Sequence, residues 1–319
     1  GRTAPWTPAP VRERMAGRTM RLVTRGDLDG LTCSVFITSV ERIDAIELVH
    51  PQQLTDGRFE VREGDVLANL PYHPRCTLWF DHHELVDANP RPAAAFQGRY
   101  GLAPSTARLV HDYYVEKKGP KVFERYGELL EGTDRLDSAN LTRQDVLHPQ
   151  RVILLGFTID SRTSLGGFRD YFLFLGMALR SMPLDEVLKA PQVVERVERM
   201  KAEDEKFRAA LLACSRVEAN VVVTDFRGLP EIPVGNRFLV YTLFPEATVS
   251  VRLQWGPRRE VVMATVGHNI FERSSWSDIG HTMSLFGGGG HRGAGSCPLP
   301  PDDGDAALRR LVEELKRQG

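Results

Sequence analysis

The chain has 319 residues, 42% of them hydrophobic and 26% charged, with 41 basic side chains against 42 acidic ones. A net charge of −1 argues against a broad nucleic-acid-coating surface, and no apolar run approaches the roughly 18 residues of a membrane span. Cys33, Cys76, Cys214 and Cys297 lie far apart, without a CxxC pair or zinc-ligand spacing, which points to a reducing, cytoplasmic setting.

Residues 1–19 are rich in Pro, Arg and Thr, start without Met, and read as a flexible extension. MRLVTR, from Met20, is a short strand that breaks at GDLDG, where Gly26 and Gly30 bracket Asp27 and Asp29. LTCSVFITSVERI has the apolar spacing of a helix packed on a sheet. AIELVHP, DVLANLP and CTLWFDHH follow as strands that end in polar residues. Such alternation implies a parallel sheet with functional residues at the carboxyl ends of its strands. PSTARLVHDYYVEKKG is a helix with Ser105 as N-cap and Gly119 as stop, and PKVFERYGELLEGTDRLDSAN is a second, carrying Asp134 and Asp137. RVILLGFTIDSR is a buried strand or helical segment ending at Asp160.

The charged amphipathic stretch from Leu184 to Cys214 suits a connector helix. ANVVVTDF, RFLVYTLF, ATVSVRLQW and EVVMATVGHNI then read as strands, FGGGGHRGAG as a loop, and DAALRRLVEELKRQG as a closing helix. The expected class is α/β: an extension over 1–19, a parallel-sheet domain over 20–182, a connector over 183–215, and a smaller α/β domain with a mixed sheet over 216–319.

Three clusters could carry chemistry. Asp27 and Asp29 flank one residue, so on an extended segment both carboxylates reach one cleft; an Asp-rich turn is the plain alternative. His82 and His83 follow Asp81 at a strand end and offer imidazole ligands beside an orienting carboxylate, or else ordinary polar caps. In GGGGHRGAG, four glycines allow backbone N–H groups close to an anion, and His291 and Arg292 add positive charge. The run follows a helix, which separates it from Walker and dinucleotide loops, since those follow strands.

The order DxD, DHH, a later Asp after two helices, and a distal GGGGH resembles the DHH phosphoesterase superfamily, which includes RecJ-like exonucleases, nanoRNases, cyclic-dinucleotide phosphodiesterases and family II pyrophosphatases. GHNIF followed by FGGGGHRGAGSC is similar to its C-terminal DHH-associated domain, and the exopolyphosphatase-related and nanoRNase-like branch is the nearest in pattern. The resemblance implies one or two divalent ions, Mn²⁺ first with Mg²⁺ or Co²⁺ as substitutes. Their ligands would be Asp27, Asp29, His82 and a later Asp, for which Asp134 is chosen over Asp160. His83 would assist the phosphoryl group or its leaving oxygen, and Gly289, Gly290, His291 and Arg292 would hold a substrate phosphate.

Two positions depart from the pattern. Arg25 stands where most relatives have a His, and Asn69 where many have a bridging Asp. An amide is a weaker ligand and a guanidinium is none. Asn69 is therefore expected as a weak ligand, and Arg25 as a fixed positive charge beside the phosphate. The implied function is hydrolysis of short phosphate-bearing substrates such as 5′-phosphorylated dinucleotides or oligonucleotides, without a stable complex with long nucleic acid and without a membrane. Exopolyphosphatase activity, or a non-catalytic phosphate or nucleotide sensor, is the alternative, and a homodimer is left open.

Overall fold

A computed structural model describes residues 20–85, 89–159 and 167–319; the extension over 1–19 and Asp160 lie outside them. These residues form two compact units, one of 20–138, 159 and 167–188, the other of Ala139–Thr158 and Lys189–Gly319. Residues 139–158, expected in the first domain, thus belong to the second unit. Among the described residues, no helix is long and apolar enough to cross a membrane.

The first unit is built on strands β1 (Met20–Thr24), β2 (Ile43–Leu48), β3 (Asp65–Ala68), β4 (Leu78–Asp81) and β5 (Gly98–Tyr100). They run parallel in the order β2-β1-β3-β4-β5. DVLA in β3 and LWFD in β4 are buried along their whole length, as expected of parallel strands covered on both faces. Helix α1 (Leu28–Val40) is buried at every position from Leu28 to Ile37. It packs against α3 (Thr106–Lys118), α4 (Gly127–Asp137) and α7 (Phe168–Ser181). Beyond β2 lies one turn of helix, α2 (Pro51–Thr55), and α8 (Leu184–Lys189) ends at the unit's boundary. A separate apolar cluster gathers Val23, Val49, Leu67, Leu70, Tyr72 and Trp79, with Phe59, Phe96 and Tyr100 against it. Strand order reverses at β1, whose neighbours are β2 and β3. The loops leaving β1 and β3 therefore flank the switch point where α/β sheets place their sites.

The second unit contains α5 (Arg143–Leu147), α6 (Arg151–Thr158), α9 (Pro191–Cys214) and a sheet of β6 (Ser215–Glu218), β7 (Val221–Asp225), β8 (Val249–Trp255), β9 (Val262–His268), β10 (Gly289–His291) and β11 (Ala294–Leu299). The sheet is mixed: only the β7–β8 pair is parallel in the order β10-β11-β9-β8-β7-β6. In β8, Val249, Val251 and Leu253 alternate inward, and they meet Ile279 and Met283 of α11 (Ile279–Leu285) and Leu308, Leu311, Val312 and Leu315 of α12 (Gly304–Arg317). That last spacing is one face of a helix.

Three expectations change here. RFLVYTLF is not a strand: Leu239–Leu243 is a helical turn, α10, preceded by Asn236, whose Oδ1 accepts from the Phe238 N–H at 3.0 Å. The connector stretch is a helix, but Val193, Met200, Phe207 and Leu211 bury one face of α9, which packs on α6, α10 and β7 inside the second unit. The glycine run is no open loop, for Gly289–His291 forms edge strand β10 antiparallel to β11. A Cβ on Gly288 would lie 2.0 Å from the Ser296 carbonyl oxygen, and one on Gly290, at φ +155, 2.3 Å from that of Ala294. These glycines let two strands approach. Gly290→Ala should therefore destabilise the protein by about 1–3 kcal/mol, seen as a lower urea midpoint at unchanged slope.

Candidate metal centre

Asp29 is the second residue of α1 and is 1% exposed. Its carboxylate accepts from the backbone N–H of Thr106 at 2.9 Å and of Ala107 at 2.8 Å, the first residues of α3. Those donors have no partner within their own helix, and the positive helix end favours the anion. His82 follows β4, and its Nδ1 lies 2.8 Å from the Ala103 carbonyl oxygen. A carbonyl only accepts, so Nδ1 carries the hydrogen and a neutral ring turns the Nε2 lone pair inward. Nε2 is 2.9 Å from Asp137 Oδ2 and 3.9 Å from Asp29 Oδ2, yet it is buried without a well-aligned hydrogen bond. A lone pair facing two carboxylates requires a proton or a cation between them.

The titration behaviour agrees. Burial raises the Asp29 carboxyl well above its ordinary range, and Asp137 and Asp27 raise it further. For His82, burial opposes charging, but the Asp137 and Asp29 carboxylates outweigh it and raise the imidazole to about 9. Without metal, the group gathers protons where a cation would put its charge. Among the described residues, Asp29, His82 and Asp137 are the one such group, their ligand atoms all within 4.8 Å of one another. Carboxylates with an imidazole fit a Mn-like divalent ion.

Asp134, the residue chosen from sequence, is not brought into this group. Its carboxylate accepts from Ser105 Oγ at 2.6 Å and from Arg108 Nε at 3.0 Å. Asp137, three residues on and on the same helical face, takes the place beside His82.

Asp27, Asn69 and Arg25 form a second network at the switch point. Asp27 itself is extended and is the N-cap of α1, whereas Asp29 lies within the helix; the Asp27 Oδ1 accepts from the Gly30 N–H at 2.8 Å and Asn69 Nδ2 at 3.0 Å. Arg25 Nε lies 3.5 Å from its Oδ2. Asn69 has φ +60, a left-handed conformation that Asn tolerates, and its buried Oδ1 has no hydrogen-bond partner. That orphaned acceptor is open to a cation or a substrate donor. His83, its side chain 45% exposed, is held through Nδ1 by Asp81 Oδ1 at 2.7 Å, which leaves Nε2 for proton exchange. The orienting carboxylate expected from the DHH sequence is thus Asp81, and the ring it holds is that of His83.

In the second unit, Gly289, Gly290, His291 and Arg292 are exposed. The Arg292 carbonyl accepts from the Ile279 N–H at 3.0 Å, and the Gly293 carbonyl from the His268 N–H at 3.0 Å. Burial lowers the His268 imidazole, and the positive charges of Arg292, His291 and Arg273 lower it further. The hairpin end is thus cationic.

No family model matches the chain, and no curated protein sequence does. Solved structures do. The pGpG-specific phosphodiesterase PggH from Vibrio cholerae is 36% identical over 94% of this chain and 100% of its own, with a TM-score of 0.79. The DHH domain of a member of a ribosomal-protein family is 14% identical over 97% and 89%, with a TM-score of 0.61. RecJ from Thermus thermophilus, in complex with Mn²⁺, is 15% identical over 96% and 53%, also with a TM-score of 0.61. The last two share the fold; the first, with its identity and full coverage, shows the family. The chain belongs to the DHH phosphoesterase superfamily.

Proposed function

We propose that the protein is a divalent-metal-dependent phosphodiesterase acting on short 5′-phosphorylated nucleotides, linear dinucleotides of the pGpG kind foremost. The observation that carries this is the Asp29–His82–Asp137 group, with its inward imidazole nitrogen and its carboxylate anchored on a helix N-terminus. Its support in substrate class is the likeness to a pGpG-specific phosphodiesterase. Asp29, His82 and Asp137 would hold the ion, Mn²⁺ first and Mg²⁺ or Co²⁺ as alternatives, with Asp27 and Asn69 as the remaining donors toward a second. Such an ion supplies Lewis-acid chemistry, polarising a phosphoryl oxygen and lowering the pKa of water.

The chain's own groups do the rest. Asp81 orients the His83 ring, and His83 Nε2 would pass a proton to the leaving oxygen. Arg25, with Nε 3.5 Å from Asp27 Oδ2, would offer a fixed cation to the scissile phosphate. In the second unit, Gly290 keeps the hairpin slim, while Gly289, His291 and Arg292 would bind a terminal phosphate. The deciding experiment is a panel of pNpN dinucleotides, cyclic dinucleotides, polyphosphate and bis-p-nitrophenyl phosphate, each with Mn²⁺, Mg²⁺ and Co²⁺. Preference for the linear dinucleotides supports this reading. Turnover of polyphosphate alone replaces it with an exopolyphosphatase, and no turnover at all with a sensor.

Metal binding should also release protons. Because His82 is held protonated to about 9 and only its neutral form ligates, Mn²⁺ affinity should climb with pH through the neutral range toward that value. Titration calorimetry in two buffers of different ionisation enthalpy counts the protons. Release of none would place the ion elsewhere.

A further inference from the structure

Trp276 is 82% exposed, while Ser277 beside it is 1% exposed. Ser277 Oγ lies 2.8 Å from Ser275 Oγ and 2.8 Å from His268 Nε2. The segment is therefore pinned on both sides of an indole that the fold leaves uncovered. Two residues after Ser277, the Ile279 N–H donates to the Arg292 carbonyl at 3.0 Å. One short segment thus presents a flat aromatic face beside the cationic end of the hairpin. An exposed indole is a large apolar surface that the described residues leave mostly uncovered, and its neighbours already hold the backbone, so little ordering remains on binding.

Cations together with an uncovered aromatic face match one ligand chemistry, an anion joined to a planar ring. We propose that Trp276 is a platform on which a nucleobase of the substrate stacks, next to the His291 and Arg292 pair that takes a phosphate. The inference rests on the phosphodiesterase reading and narrows it: the substrate is a nucleotide rather than a bare polyphosphate. Stacking tolerates any base, since each has a π-face, so Trp276 contributes affinity without choosing among bases.

The test is calorimetry on the Mn²⁺-loaded full chain with two ligands: a non-hydrolysable 5′-phosphorylated dinucleotide analogue and base-free methylenediphosphonate. Trp276→Ala should weaken the dinucleotide roughly 10- to 100-fold and leave methylenediphosphonate unchanged, whereas Trp276→Phe should retain most of the affinity. Quenching of tryptophan fluorescence by the dinucleotide should disappear in Trp276→Phe, because the remaining described tryptophans, Trp79 and Trp255, lie elsewhere. Thermal melting should not move, since the ring packs on little. Wild-type affinity in Trp276→Ala, or an equal loss for both ligands, overturns the proposal. So does a wild type that binds the dinucleotide no better than methylenediphosphonate while still hydrolysing bis-p-nitrophenyl phosphate, which leaves the activity standing. Failure to hydrolyse any phosphoester with any metal removes the phosphodiesterase reading instead, and the Trp276→Ala affinities still decide whether a base stacks there.

Discussion

Asp137→Asn should abolish tight Mn²⁺ binding and lower phosphodiester hydrolysis on the order of 10³-fold, while Asp134→Asn leaves both near wild type. The two carboxylates sit one helical turn apart, but their partners differ. Asp137 Oδ2 lies 2.9 Å from His82 Nε2, in a group whose ligand atoms fall within 4.8 Å of one another. Replacing it by an amide weakens one of the three proposed ligands and removes its charge. Asp134 is engaged by Ser105 and Arg108, and Arg108 is partly open to solvent, so its loss should cost less than about 1 kcal/mol of stability. Calorimetric Mn²⁺ affinity and kcat/KM, measured on both variants, check the assignment. If Asp134→Asn loses the metal and Asp137→Asn keeps it, the centre lies elsewhere on α4.

Arg292→Ala should cut turnover of a 5′-phosphorylated dinucleotide by about 10- to 150-fold, the equivalent of roughly 1.5–3 kcal/mol for a charge-assisted phosphate contact. Bis-p-nitrophenyl phosphate has no second phosphate and should be turned over almost as before. Arg292 is exposed at the end of the β10–β11 hairpin, and its backbone carbonyl is anchored by Ile279, so truncating the side chain leaves the hairpin intact. A guanidinium is suited to the task because it donates two parallel hydrogen bonds to one phosphate. His83→Ala, by contrast, should impair both substrates, since the proton transfer is common to them. Equal losses on both substrates with Arg292→Ala would make the hairpin a structural or catalytic element and end its recognition role.

Much of this is legible in the sequence because buried parallel strands appear as bare apolar runs. LVT, DVLA and LWFD each end at a polar residue, and those ends carry Arg25, Asn69 and His82. The α/β class with a parallel and a mixed sheet, and membership of the superfamily, follow from the same segments. The choice between Asp134 and Asp137 does not, because helical periodicity puts both on one face and the decision belongs to Arg108 on a neighbouring helix. RFLVYTLF is apolar without a period, so nothing local distinguishes strand from helical turn. GRY, the whole of β5, is too short to show alternation. The glycine run reads as freedom to approach an anion, whereas its tightest contacts are with the carbonyls of its own sheet.

His82 and Asp29 owe their positions to main-chain atoms, the Ala103 carbonyl and the amides of Thr106 and Ala107. Peptide groups are the same in every residue, so these three anchors depend on the path of the 101–107 segment more than on its side chains, apart from Ser105, which caps α3 and meets Asp134. Leu102, fully exposed near the start of that segment, can be exchanged freely, whereas a single inserted or deleted residue would shift the anchors. Such a segment can diversify in composition while its length stays locked, and selection can remake the rim of the centre without touching its ligands.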